Sequence, residues 1–330
     1  MIAALSFLLE CAAIAALLAT GASLLVLAVS AVLVPVASRA SPSLRADLAF
    51  LGGVLPAAAA IAGTLSAAAP PIASALGLAT DHCQTHGHHL HLCFVHSAGL
   101  RPAIATLGAF SLATFVFRGC SVLSRFLAMR RRLLQLQRLG SIVSGELPVV
   151  AVPGPPRMCH ATGLLRGRIL LSSSLAEGLG PGEVRCALAH EEAHLRRRDP
   201  LANLLMSLAG LFVPTPVSRL LQRAYRSAAE EACDADAAAA VGDPALVAEA
   251  LVKVAAVQRG PWQPAETVPA FGELALERRV RLLLARTGIR SRPTHALLVG
   301  VATSLAIALP LLVEAASFHH AVETVLHRLF

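Results

Sequence analysis

The segment HEEAH, at residues 190–194, has the spacing of a metal-binding helix. His190 and His194 are four residues apart, so on a helix both imidazoles lie on one face and reach one metal ion. Glu191 projects one position round from His190, where its carboxylate can take a proton from a metal-bound water without binding the ion. The pattern predicts hydrolysis of a peptide bond by a metal-activated water.

The motif requires a third ligand, because a catalytic zinc ion usually has three protein ligands and keeps a fourth position for water. The acidic segment SAAEEACDADAAAA supplies the candidates. Glu230 would complete a His-His-Glu set, and Asp234, one helical turn later, would accept a hydrogen bond from the outer nitrogen of a ligating imidazole. Glu231 is the alternative ligand, with Asp234 or Asp236 as its neighbour. The four-residue spacing favours Glu230.

A second group of metal-binding side chains lies in DHCQTHGHHLHLCFVH, residues 81–96, which holds six histidines and two cysteines. Imidazole and thiolate suit copper, zinc and nickel. The segment has no H-E-x-x-H and a single acidic residue, Asp81, so its spacing does not match a catalytic site. One interpretation is a polar loop that binds metal adventitiously; the hypothesis set against it is that the loop senses an extracytoplasmic metal ion. The candidate ligands are His82, Cys83, His86, His88, His89, His91, Cys93 and His96.

The composition indicates a membrane protein. Hydrophobic residues make up 55% of the 330 residues and charged residues only 15%, whereas soluble domains are about 25% charged. A net charge of +8 could suggest nucleic acid, but only 4% of the residues are aromatic, so a base-stacking surface is not expected. Four apolar stretches reach the roughly 20 residues that a spanning helix needs, at 2–38, 48–79, 102–124 and 294–313.

The positions of the arginines predict the topology, since basic residues that flank short loops mark the cytoplasmic side. Arginines lie between the first two stretches, after the third and before the fourth. All three positions agree if the chain lies in a bacterial inner membrane with its N-terminus outside. The predicted units are residues 1–124, three transmembrane helices with an extracytoplasmic His-rich loop at 80–101; residues 125–292, a cytoplasmic metallopeptidase domain; and residues 293–330, a fourth transmembrane helix with a short extracytoplasmic tail.

The predicted cytoplasmic segment mixes strands and helices. ELPVVAVP and GRILLSSSL are short apolar runs bounded by Gly or Pro, which is typical of strands. Helical periodicity begins at Pro181 and returns in the segment that contains Glu230. The predicted fold class is mainly α: a four-helix transmembrane protein with a zincin-like (gluzincin) α+β domain.

Two stretches, GLLRGRILLSSSL…EVRCALAHEEAHLRRRDPLANLL and RSAAEEACDADAA, resemble the M56 family of membrane metallopeptidases, the BlaR1/MecR1-like proteins of bacterial β-lactam sensing. The matching positions are Gly163–Leu171, Ala189–Leu201 and Glu230–Asp234. The resemblance implies Zn²⁺ bound by His190, His194 and Glu230, with Glu191 as the catalytic base. By analogy with related zinc peptidases, the strand around Ile169–Ser173 would bind substrate by backbone pairing.

The function that follows is an integral-membrane zinc metalloendopeptidase acting on a protein substrate. We expect a role in signal transduction, by cleavage of a transcriptional repressor or of the chain itself. BlaR1-type receptors carry a penicillin-binding sensor domain after the fourth span, and here no S-x-x-K or K-T-G motif follows it. We therefore expect a signal other than a β-lactam. The alternatives are a quality-control protease similar to the M48 family, which shares H-E-x-x-H and E-x-x-x-D, and a non-catalytic metal sensor. Membrane lipid and a protein substrate are the expected partners, without direct contact to nucleic acid.

Overall fold

The computed structural model of the chain describes residues 2–37, 40–79, 92, 101–143, 149–153, 158–164, 166–259, 271–285 and 315–329. Its first three helices are long and apolar enough to cross a membrane: α1 (Ile2–Ala37), α2 (Pro42–Ala75) and α3 (Pro102–Leu139). The predicted fourth span, 294–313, lies outside the described residues.

Helix α2 occupies the centre of the membrane part. In the most apolar part of α2, 44% of the residues are buried, compared with 22% in the corresponding part of α1 and 11% in that of α3. It begins after Ser41, whose hydroxyl accepts a hydrogen bond from the Leu44 N–H at 3.3 Å. The sequence predicts a break at Pro56 and at Pro70-Pro71, yet α2 runs through all three prolines. Membrane helices tolerate proline because neighbouring groups satisfy the freed carbonyls.

Four strands form one small sheet: β1 (Ser141–Val143), β2 (Val149–Val152), β3 (Cys159–Thr162) and β4 (Arg168–Ser172), in the order β1-β2-β4-β3. Strand β4 pairs in parallel with β2 and antiparallel with β3, so both of its edges are occupied. The prediction that the strand around Ile169–Ser173 binds substrate by backbone pairing is therefore wrong. The edge strands are β1 and β3, of which β3 adjoins β4, and Ser173 already begins the short helix α4 (Ser173–Ala176).

Five helices complete the domain: α5 (Pro181–Arg197), α6 (Asp199–Ala209), α7 (Thr215–Val241), α8 (Pro244–Arg259) and α9 (Phe271–Ala285). Pro181 lies in the first turn of α5, as the sequence predicts. Membrane helix α2 packs along α7, where its Phe50 contacts a buried cluster that includes Met206, Leu221 and Tyr225. The second membrane helix is thus part of the core that supports α7.

The last helix, α10 (Ala315–Leu329), packs on α1 and α2. Its buried His319 donates a hydrogen bond from Nδ1 to the Ala67 carbonyl of α2 at 2.6 Å, and Glu323 accepts one from the Leu92 N–H at 2.9 Å. Leu92 is the described residue of the His-rich segment, and its side chain is buried in the same cluster. The eight candidate ligands of that segment, His82 to His96, lie outside the described residues, so metal binding there stays a prediction.

Candidate metal centre

Helices α5 and α7 bring three potential ligand side chains to one point. The His190 Nε2 and His194 Nε2 atoms are 3.2 Å apart. Glu230 places one carboxylate oxygen 3.4 Å from the first of these atoms and the other 3.5 Å from the second. The imidazole rings meet nearly edge to face, at an interplanar angle of 81°. This is a donor set that could hold one metal ion.

Each imidazole is held from behind by a carboxylate. His190 Nδ1 lies 2.9 Å from Asp234 Oδ1, and His194 Nδ1 lies 2.7 Å from Asp199 Oδ2. A carboxylate on Nδ1 keeps the proton there and directs the Nε2 lone pair to the opposite side. Two lone pairs would then face each other across 3.2 Å, which is unfavourable unless a proton or a metal ion lies between them. The site therefore fits a metal ion.

The acids of the site stay ionised in spite of their burial. Burial alone would raise the pKa of Glu230, but His190 and the Arg279 guanidinium lower it to about 2. Burial alone would also raise the pKa of Asp234, but its hydrogen bonds with Arg279 and His190 lower it. For His190, burial would lower the pKa, but the two carboxylates raise it to about 10. Without a metal ion, His190 is thus protonated at neutral pH.

The contacts of Asp199 tie the centre to the domain core. Tyr225 donates its hydroxyl hydrogen to Asp199 Oδ1 at 2.6 Å, and Arg197 Nε lies 3.5 Å from Oδ2. Cys233 Sγ lies 3.3 Å from His194 Nδ1, so these residues form a second group of potential ligand atoms. In this second group His194 Nδ1 and Asp199 Oδ2 lie at hydrogen-bond distance, 2.7 Å, and Asp199 already has Tyr225 and Arg197 as partners. We therefore favour the group that contains Glu230.

The predicted catalytic base, Glu191, lies between the ligand atoms and the edge strand. Its Oε2 accepts a hydrogen bond from the Ala161 N–H of β3 at 2.6 Å. The Ser172 N–H donates to the Met158 carbonyl, so in this antiparallel pair His160, two residues after Met158, also bonds to β4. The backbone groups of Cys159 and Ala161 therefore point away from β4. They face the side where Glu191 lies.

A cavity of about 180 Å³ opens beside these groups. Its polar lining consists of His190, Glu191, Glu230 and Arg279, and its apolar lining comes mainly from α8. The remaining lining residues are Cys159, Cys186, Ala187, Val247, Ala250, Leu251, Val254, Ala255 and Leu276. The potential ligand atoms, the Glu191 carboxylate and apolar side chains of α8 thus share one cavity.

Residues 157–283 match the family model described as BlaR1 peptidase M56. This segment belongs to the M56 peptidases. The M56 domain so defined includes strand β3, His190 and His194 on α5, helix α7, and α9 as far as residue 283. No curated protein and no solved structure is significantly similar to the chain. Together with the three apolar helices, the match identifies a membrane protein with a peptidase domain of the BlaR1 type.

Two residues that contact this centre, Asp199 and Arg279, were not predicted from the sequence. Asp199 follows His194 by five positions, in RRRDP, and Arg198 between them adopts a left-handed conformation (φ 58°) that turns the chain back toward the site. An acidic residue directly after the H-E-x-x-H helix was the available signal. Arg279 lies in ERRVRLLL, where nothing in the spacing distinguishes it from the neighbouring arginines.

Proposed function

We propose that this protein is a zinc-dependent membrane endopeptidase that hydrolyses peptide bonds of a protein substrate. The observation that carries the proposal is the convergence of His190, His194 and Glu230, with Glu191 beside them in an M56 domain. Two histidines and a glutamate form a common ligand set of catalytic zinc, which leaves one position open. The ion when bound polarises the scissile carbonyl and lowers the pKa of a bound water from about 15.7 toward roughly 7.

The protein's own contribution to the reaction is proton transfer at Glu191. Its carboxylate takes a proton from the attacking water and delivers it to the leaving amine nitrogen. The Ala161 N–H holds Oε2 of this carboxylate, which fixes the direction of the other oxygen. Asp234 and Asp199 keep the two imidazoles in the tautomer that presents Nε2.

The edge strand β3 is the element that we propose to bind the substrate backbone. An extended peptide adds to a sheet at an unpaired edge, through main-chain hydrogen bonds. The Ala161 N–H is bonded to Glu191, so the pairing would use the other outward backbone groups, those of Cys159 and the Ala161 carbonyl. The apolar wall formed by α8 would then receive an apolar side chain of the substrate next to the scissile bond.

Replacement of the base tests the reaction. We expect Glu191→Gln to retain zinc and to lose about 10²- to 10⁴-fold in turnover, since that is the usual contribution of general acid–base catalysis. The matched control is Glu192→Gln, which removes a neighbouring carboxylate whose contact is an ion pair with Arg196 at 3.1 Å. Zinc content, and cleavage of casein or of the chain itself, are measured on protein purified in detergent. Full activity of Glu191→Gln would contradict the proposal.

We further propose that the chain lies in the bacterial inner membrane with its N-terminus outside and the M56 domain in the cytoplasm. The arginines in the C-terminal part of α3, after residue 124, support this orientation. A cytoplasmic active site gives access to a transcriptional repressor, so we favour signal transduction by repressor cleavage or by autocleavage. Comparison of the proteomes of cells that carry active or Glu191→Gln protein identifies the substrate. Accumulation of many unrelated membrane proteins, rather than one regulator, would instead indicate quality control.

A further inference from the structure

Helix α9 places two consecutive arginines against the acidic residues of α7. Arg278 donates from Nε to Glu231 Oε1 at 2.9 Å, and its side chain is 58% exposed. Arg279 faces the metal centre and is 19% exposed. The two neighbours have the same chemistry and similar partners, but only Arg279 contacts a proposed metal ligand.

The Arg279 guanidinium contacts two acids at once. Its Nε and Nη2 donate to the two oxygens of Asp234 at 2.6 and 2.7 Å, and its Nη1 lies 3.0 Å from Glu230 Oε2. The planar fork of arginine matches a carboxylate with two parallel hydrogen bonds and retains donors for a second acceptor. Lysine has a single charged nitrogen and lacks this geometry.

We infer that Arg279 is a positioning residue for the metal centre, which sets the orientation of the ligand Glu230 and, through Asp234, that of the ligand His190. The inference rests on the proposed function. Three helices, rather than the two that carry the sequence motifs, then build the site.

The contact with Glu230 fixes how its carboxylate is turned. Because Arg279 holds Oε2, the other oxygen is directed toward His194 Nε2, 3.5 Å away. The contact with Asp234 acts on the other ligand, because Asp234 Oδ1 accepts from Arg279 and also lies 2.9 Å from His190 Nδ1.

Charge balance is a second physical reason why Arg279 positions the ligands. Asp234 has a side chain that is 2% exposed, and Glu230 and Glu191 lie nearby. Several carboxylates in a site of low dielectric repel one another unless a cation lies among them. Arg279 provides a permanent cation there before a metal ion binds, in addition to the protonated His190, so the acids stay close together. Without it, we expect Glu230 and Asp234 to move apart and the ligand geometry to be lost.

The test compares three variants of the full chain in detergent: Arg279→Gln, Arg279→Lys and the control Arg278→Gln. Zinc affinity is measured by competition with a chelator, and the thermal unfolding midpoint is measured with and without zinc. Loss of an outer-shell partner typically costs about 10- to 100-fold in metal affinity. We expect that loss in Arg279→Gln, with a smaller zinc-dependent rise of the midpoint, and wild-type affinity in Arg278→Gln.

Wild-type zinc affinity in Arg279→Gln would overturn the inference, as would equal losses in Arg279→Gln and Arg278→Gln. If Arg279→Gln does not fold, Arg279→Lys decides. That variant keeps the charge, so we expect metal-free stability near that of the wild type together with weaker zinc binding; unchanged affinity would overturn the inference. Failure of the wild type to bind zinc would instead refute the proposed function.

Discussion

Two adjacent glutamates of α7 are expected to respond in opposite ways to the same change. Glu230 faces the two histidines, whereas Glu231 points to the other side of the helix, between Arg45 of α2 and Arg278 of α9. We predict that Glu230→Gln loses the metal ion and keeps its fold, and that Glu231→Gln keeps the ion and loses stability. The pair tests which of the two is the third ligand.

The magnitude for Glu231 follows from its burial. Its side chain is 2% exposed and pairs with Arg45, which is 15% exposed, and with the more exposed Arg278. Removing one partner of a buried ion pair costs about 3–5 kcal/mol, because the remaining charge stays buried. Glutamine preserves the shape and one hydrogen-bond acceptor, and Arg278 already reaches water. We therefore expect the lower end, about 3 kcal/mol of unfolding free energy.

The magnitude for Glu230 concerns the metal ion. Its replacement removes an anionic ligand, so the loss of zinc affinity should exceed the roughly 10- to 100-fold that an outer-shell change costs. Both variants are purified in detergent, their zinc content is determined by elemental analysis, and their unfolding is followed with and without a chelator. The assignment of the third ligand is refuted if Glu231→Gln is metal-free while Glu230→Gln binds zinc as the wild type does.

Three further changes test other parts of the structure. Tyr225→Phe removes a buried hydrogen bond to the charged Asp199, so the free energy of unfolding should fall by about 1.5–3 kcal/mol; unchanged denaturant unfolding would contradict this. Without metal, the raised pKa of His190 contributes stability that is present below about 6.5 and lost as the pH rises through about 10. Zinc must displace that proton, so calorimetry near pH 7 should show proton release and an affinity that increases with pH; an affinity independent of pH would argue against it. Gly108→Ala would bring a methyl carbon into a clash with the Leu9 carbonyl oxygen of α1, so α1 and α3 must separate and the thermal midpoint should fall. Gly119→Ala, with open space around it, should leave the midpoint unchanged.

Local spacing was sufficient to predict the chemical type of this protein. H-E-x-x-H places His190 and His194 on one helical face, and the four-residue interval from Glu230 to Asp234 does the same for the acids. The apolar stretches likewise predicted helices α1 to α3. These features depend only on helical periodicity and on hydrophobicity, which the sequence carries directly.

The strand prediction failed for a physical reason. The segment at Ile169 is apolar and bounded by glycine, which is typical of a strand, and it does form β4. Whether a strand lies at the edge or in the interior of a sheet depends on its partners. Strand β4 pairs on one side with β2, some twenty residues earlier in the chain, and on its other side with β3. Local composition does not encode that choice, so the edge that faces Glu191 became visible only in the sheet.

The sequence by itself determined a membrane protein with a helical His-His-Glu donor set, because that information lies within a few turns of helix. The tertiary structure decided which acids and cations complete the centre. Glu230 and Glu231 are equivalent in local pattern, and only the packing of α5 against Glu230 and of α2 against Glu231 distinguishes them. Arg279 approaches Asp234 from 45 residues further along the chain. Contacts of this kind arise when helices pack, because burial forces each charge to find a partner.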